Sequence, residues 1–388
     1  MMKSHRVAVF VVVSWLSLVA QAPSRPSGSG GVSPVLDVFQ IVPTPNPNQP
    51  PPANNYLESV SATSAADIWA VGASVIHFDG AQWTGFSVPD INGDGSDLLT
   101  GVADLSPANV WAVGYINFQV EGAYPAGIVE HFDGTDWTVV PSPQFPPPDE
   151  AYLRSIAAIS PTNIWAGGWV FVDPYFLPLL EHFDGTSWTQ VAPPVSDCGI
   201  WGISADASND VWAVGATLGG GTCILHYDGS AWQLVSSPYG CCGLNILAGV
   251  VALAPNNVWT SGWYAQSPND DRPLLTLIEH WDGSNWQIVP SPNVSGPSES
   301  SQLRGIAAVS ANDIWAFGDS INYEIGAAST LVLHWDGTTW TIKPSPNVKL
   351  NNLLNDDLDG GTVIPPGNLW IAGSDNVFDT LVLHATRQ

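Results

Sequence analysis

Short apolar runs recur along this chain in a fixed order, and each run is closed by turn residues. One full unit reads "LRGIAAVSANDIWAFGDS" from Leu303 and continues as "TLVLHWDGTTWTIKPSP" from Thr330. It holds four apolar stretches of about five to seven residues, rich in β-branched and aromatic side chains, which predict four strands. We name them a ("GIAAVS"), b ("IWAFG"), c ("TLVLHW") and d ("WTIKPSP"). The strand-b tryptophan recurs at Trp69, Trp111, Trp165, Trp212, Trp259, Trp315 and Trp370. An Ile or Leu precedes each at a constant spacing: Leu57, Leu99, Leu153, Ile200, Leu247, Leu303 and Leu358.

Four strands in a repeat of about 40 to 55 residues predict an all-β chain, a seven-bladed β-propeller of four-stranded blades. The ends of the chain support closure. The last unit stops at "LVLHATRQ" and lacks a strand d, while "FQIVPTPNPN" from Phe39 matches one. The N-terminal strand therefore completes the last blade and removes two exposed sheet edges. The expected organisation is a signal peptide at 1–22, a flexible linker at 23–35 and a single propeller at 36–388.

The aromatic-Asp turn, the Trp opening strand d and the apolar strand ending in Gly resemble the kelch and galactose-oxidase class of propellers. The resemblance covers essentially the whole propeller and implies the same fold. Kelch blades carry a Gly-Gly doublet after strand b, matched here only by Gly167-Gly168. The copper ligands of galactose oxidase have no counterpart, so no copper activity is implied, and no nucleotide motif occurs.

Composition narrows the partners. The chain has 388 residues, with 9 basic against 35 acidic, a formal net charge of -26. Such a surface repels phosphate backbones and anionic membranes. "MMKSHR" followed by "VAVFVVVSWLSLVA" and "AQA" has the form of a secretory signal. A secreted monomer without a membrane span in its mature form is expected.

The His, Asp and Trp of "HFDGTSW" invite a catalytic reading. Yet His77, His131, His182, His226, His280, His334 and His384 all occupy one repeat position. On a seven-fold ring they lie too far apart to converge on one substrate. They are expected to make a hydrogen bond to a backbone or Trp partner inside each blade, resembling that of WD-repeat propellers. Asp-Gly marks the c–d turn, and the tryptophans are expected to fill the wedges between blades.

Function is then expected on the top face, where the variable b–c and d–a loops emerge. Three features stand out there. "DINGDGSD" supplies Asp90, Asn92 and Asp94, the Ser96 carbonyl and Asp97, alternating oxygens around a Gly turn. It resembles the calcium loops of integrin-type blades and implies Ca2+, against a plain polar turn. Cys198, Cys223, Cys241 and Cys242 cluster at one blade, as disulfides of an exported chain. The pairing is either Cys198–Cys223 with a vicinal Cys241–Cys242, or a cross-pairing of the two sets. Tyr115, Trp169, Trp201, Trp263 and Tyr264 sit where strands meet the top face and are candidate stacking platforms for sugar rings, against plain packing between blades. The residue after each leader (Glu58, Thr100, Arg154, Trp201, Ala248, Arg304, Asp359) is expected to ring the channel mouth.

The leading expectation is a secreted binding or scaffold propeller with a glycan or extracellular protein as partner, more binder than enzyme. A carbohydrate-active hydrolase or lyase using Asp173, Asp270, Asp271 or Asp319 is the alternative. A propeller that only binds proteins is the third reading. "NVS" at Asn293 is a possible glycosylation sequon.

Overall fold

The computed structural model describes residues 36–47, 54–91, 97–116, 124–173, 175–240, 243–267, 270–296, 298–349, 354–365, 367–375 and 379–387. The signal and linker expected at 1–22 and 23–35 lie outside them. So do Asn92, Asp94, Ser96, Cys241 and Cys242. Among the described residues there is no helix, and thus none long and apolar enough to cross a membrane.

Seven four-stranded antiparallel sheets follow one another around a ring. Blades 1 to 6 are built in chain order from residues 57 to 343. Blade 7 takes strand a from Asp357–Ile364, b from Asn368–Ser374 and c from Thr380–Arg387. Its strand d is the N-terminal segment Leu36–Ile41, paired antiparallel with strand c from the far end of the chain. Closure is as the sequence led us to expect.

The tryptophans fill the wedges between blades. Each strand-b Trp meets the strand-d Trp of the next blade: Trp69 with Trp137, Trp111 with Trp188, Trp165 with Trp232. The pattern continues through Trp212 with Trp286, Trp259 with Trp340 and Trp370 with Trp83. At the seventh interface Phe39 of the closing strand takes the Trp role against Trp315, ring centroids 5.6 Å apart. Edge-to-face packing of this kind stabilises beyond simple burial.

The repeated histidine is a structural part. In every blade its ring packs against the strand-b Trp, and its Nε2 meets the side-chain oxygen of the first residue of strand b. His182 reaches Asn163 Oδ1 at 2.8 Å and packs, tilted by 37°, against Trp165 at 4.4 Å between ring centroids. The partner is Asp67, Asp210 and Asp313 in blades 1, 4 and 6, and an asparagine in the others. The partner is thus an Asn or Asp side chain, not the backbone. The Asp of each turn caps its own loop: Asp184 Oδ1 accepts the amides of Thr186 and Ser187 at 2.8 and 2.9 Å.

Asn293 belongs to this structural set. Its Oδ1 accepts the amide of Thr276 at 2.8 Å, as Asn347 does for Thr330 and Asn46 for Thr380. The repeat therefore accounts for the asparagine of "NVS".

Strands a, b, c and d run from the axis outward, so the inner wall is made of strand a. Serines stitch the inner strands of adjacent blades. Ser155 Oγ accepts the amide of Ile203 at 3.0 Å, and Ser204 Oγ that of Ala252 at 3.1 Å.

Candidate functional site at the axial mouth

Near the top of every strand a the ladder to strand b skips one residue. In blade 3, Leu153 pairs with Gly168 and Ser155 with Gly167, leaving Arg154 out of the ladder. The same shift occurs after Leu57, Leu99, Ile200, Leu247, Leu303 and Leu358. A β-bulge turns the extra side chain away from its ordinary direction. Seven bulges therefore present Glu58, Thr100, Arg154, Trp201, Ala248, Arg304 and Asp359 at equivalent places on the innermost strands. These are the residues expected at the mouth. Tyr56, ahead of the blade 1 bulge, has its hydroxyl pushed up mainly by burial. Next come the charge of Glu58 beside it and smaller effects of Tyr115, Arg154 and Asp359. Charged and polar groups of blades 1, 2, 3 and 7 thus lie near enough to act on one hydroxyl.

One half of the mouth is aromatic. Tyr115, Tyr152, Trp169, Trp201 and Trp263 form a continuous arc over blades 2 to 5. Successive ring centroids lie 4.9, 5.6, 5.3 and 6.3 Å apart. The buried Arg154 guanidinium lies 5.3 Å from the Trp169 ring and 5.5 Å from that of Trp201. This is cation–π distance for a desolvated cation. Four of the five candidate platforms are therefore brought together. Tyr115 and Trp263, only 5% and 3% exposed, have their faces taken by neighbours, so they pack the arc and do not stand open. Trp169 and Trp201 are half-buried. Tyr264, next along its strand, lies instead against Gly240, where an added Cβ would be 2.5 Å from its ring.

The other half is ionic. Arg304 Nε donates to Asp319 Oδ1 at 2.7 Å, and Nη1 to Asp359 Oδ1 at 2.8 Å and Asp357 Oδ2 at 3.3 Å. Asp319 is not a loop acid, as the sequence had suggested. It lies buried on strand b of blade 6, Asp313–Asn322. Burial raises its carboxyl to about 6 against the pull of Arg304. Asp359 is raised well above the ordinary range, first by burial and then by the charge of Asp357.

The cysteine pairing resolves to Cys198–Cys223. Cys198 immediately precedes strand a of blade 4, Gly199–Ala207, and Cys223 lies on strand c, Thr222–Tyr227. The bond spans strand b at Gly215, which pairs with Cys223. Of the proposed calcium ligands, Asp90 and Asp97 are described. Asp90 is exposed, and Asp97 Oδ2 accepts the amide of Ile91 at 2.8 Å, folding the loop end back on its start.

Sequence reasoning missed two groups. Tyr152 completes the arc one residue before a leader, a position it shares with Tyr56 and Asp357. Glu130, Glu181 and Glu279 precede the repeated His in "VEHF", "LEHF" and "IEHW" and are buried. Burial pushes each carboxyl up to about 8. A pocket of about 260 Å³, lined by Val38, Gln40, His384 and Thr386, sits on the outer edge of blade 7, away from the mouth.

No family model and no curated protein matches this chain. Solved structures do. The chain is similar to YCF48 bound to D1 peptide, at 14% identity and a TM-score of 0.56, over 93% of this chain and 100% of that one. It is similar to YCF48 from Cyanidioschyzon merolae, at 14% and 0.53, over 89% and 98%. It is also similar to the extracellular domain of the hybrid two-component system BT4673 from B. thetaiotaomicron, at 13% and 0.53, over 89% and 39%. At such identities the likeness concerns the fold alone.

Proposed function

We propose that the protein is an exported binding propeller, not an enzyme, which takes its ligand on the top face over the axial mouth. One observation carries the reading. A constant backbone bulge sets a side chain of differing chemistry at the same place on each of the seven innermost strands, and among these seven Trp201 is half-open while the other six are buried. A uniform frame with one varied position is how a repeat scaffold builds a binding surface. The mouth so made is aromatic and cationic on one side, and ionic with an acid excess on the other. YCF48, which shares the fold, was captured with a peptide. Export is supported by the signal-like pattern at 1–22 and by the Cys198–Cys223 bond, since disulfides persist in oxidising compartments. The kelch-like character of the blades belongs to this same reading.

A carbohydrate ligand is the second reading, favoured by the half-open indoles of Trp169 and Trp201. A hydrolase would need two carboxylates poised across a sugar. Asp319, Asp357 and Asp359 are all drawn onto Arg304, which favours a binder. The test is a glycan array and a random-peptide display on the purified chain, beside an activity screen on polysaccharides. Binding without turnover, lost in Trp201→Ala, is expected. Turnover of any polysaccharide would refute the binder reading.

Calcium at Asp90, Asn92, Asp94, Ser96 and Asp97 is proposed as a brace for the loop between blades 1 and 2. It rests on the D-x-N-x-D-G spacing and on the Asp97–Ile91 closure. Calcium heat in isothermal titration, and a melting shift with calcium that Asp94→Ala abolishes, are expected. Absence of both ends the idea.

A further inference from the structure

Large exposed apolar side chains are absent from the bottom turns among the described residues. They occur on strand d at the outer rim and on the top loops. Those on the top loops of blades 3 and 4 are not scattered. Tyr175 is 58% exposed, Leu218 47% and Tyr239 63%. Tyr175 adjoins Phe176, whose ring meets Phe171 at 5.1 Å and Trp169 at 6.5 Å. The carbonyl of Phe176 accepts the amide of Cys198, and the preceding Asp197 accepts the amide of Leu218 at 2.8 Å. The Leu218 loop runs on to Gly221, and the Tyr239 ring lies within van der Waals reach of it. Hydrogen bonds through Cys198 and Asp197 thus tie the loops that carry Tyr175, Leu218 and Tyr239 into one strip along the top of blades 3 and 4, beside Trp169 of the aromatic arc.

Charge decides what suits the strip. Among the described residues, the charges beside it are Asp173 and Asp197, both exposed and both acidic. The first 35 residues hold no acid, so all 35 acidic residues belong to the propeller. Its basic residues are Arg154, Arg272, Arg304, Lys343, Lys349 and Arg387. Arg154 and Arg304 are buried, and Arg272 follows Asp270 and Asp271. A bare aliphatic side chain such as Leu218 rewards apolar burial and offers nothing to a sugar's hydroxyls. An apolar strip with an acidic margin on a strongly acidic body fits an apolar, cationic chain.

We infer that the strip through Tyr175, Leu218 and Tyr239 is the docking surface for a polypeptide segment in which aromatic or aliphatic residues are interspersed with Lys or Arg. This rests on the binding-propeller reading and makes its ligand a basic-apolar peptide. The apolar side chains cover the strip while the cations face Asp173 and the acidic body. The whole surface steers the partner inward, so association slows as salt rises.

The test is selection from an unbiased random-peptide display library on the purified chain, followed by titration of synthesised winners. Enriched sequences are expected to combine aromatic or aliphatic residues with Lys or Arg, and to bind more weakly as sodium chloride rises. The triple variant Tyr175→Ser, Leu218→Ser, Tyr239→Ser should weaken binding by about a hundredfold. Asp173→Lys should weaken it by about threefold and flatten its salt dependence. All four side chains are exposed, so an unchanged melting temperature checks the fold. No enrichment, acidic winners, or winners indifferent to the triple variant overturn the inference. If peptides fail but a glycan binds through Trp201, the binding-propeller reading survives without it. If neither binds, both fall.

Discussion

A Cβ placed on Gly168 would lie 1.9 Å from the carbonyl oxygen of Tyr152. The same collision arises at Gly72, Gly114, Gly215, Gly262, Gly318 and Gly373, at 1.8 to 2.1 Å from the carbonyl preceding each leader. The glycine closing "WAVG" and its variants is therefore the seat of the bulge. It lets strand a approach closely enough for the next residue to turn toward the mouth. Gly168→Ala is expected to destabilise the chain by about 3 kcal/mol, since backbone cannot yield as a side-chain tip can. It should also displace Arg154. A urea midpoint gives the first effect. Loss of the near-ultraviolet circular dichroism of the Trp169–Trp201 pair gives the second.

Burial holds Glu130, Glu181 and Glu279 protonated in the folded chain up to about pH 8, while the ordinary value is 4.5. Below 4.5 both folded and unfolded states carry the proton, and the three groups cost nothing. As pH rises from 4.5 to about 8, the unfolded chain releases protons that the folded chain keeps. Each group then costs on the order of 1 kcal/mol per pH unit. Stability should therefore fall across that window and level off above it. Replacing all three with Gln should flatten the fall, as urea midpoints at pH 5 and pH 8.5 would reveal. An unaltered pH slope in the triple variant would contradict the assignment.

Arg304 is 2% exposed and holds three aspartates from blades 6 and 7. Arg304→Gln leaves buried carboxylates without their cation and should cost about 4 kcal/mol. Adding Asp319→Asn and Asp359→Asn should recover part of that loss, because the uncompensated charge goes with them. Denaturant titration of the single and triple variants measures both steps.

The Cys198–Cys223 bond closes a loop with a sequence separation of 25. Its removal in Cys198→Ala, Cys223→Ala should lower stability by about 3 kcal/mol, chiefly by freeing the unfolded chain. It should also loosen the Leu218 loop, which lies between the two cysteines. Hydrogen exchange at Leu218 and Gly221, compared with exchange in blade 1, distinguishes the local effect from the global one.

The repeat alone determined the architecture. Strand count, blade number and closure all follow from the spacing of leader, Trp and His, because each of these fills a fixed slot within or between blades. The same count removed "HFDGTSW" from the candidate chemistry, and its His and Asp proved to hold a blade and a turn together. The disulfide was legible only to the level of three possible pairings. Choosing Cys198–Cys223 required the fold, which brings their Cα atoms to 5.8 Å.

The character of the mouth was decided by tertiary structure. A bulge leaves no mark in a pattern of apolar and polar residues, yet it turns Glu58, Arg154, Arg304 and Asp359 from ordinary strand positions into neighbours around an axis. Tyr115 and Trp263 looked like open platforms because sequence shows where an aromatic stands, not what lies on its face. Asp319 looked like a loop acid because strand b of blade 6 runs longer than its repeat. Local pattern fixes what each residue can do within a blade. Which residues share a surface depends on where seven blades bring their ends together, and that is a property of the closed ring.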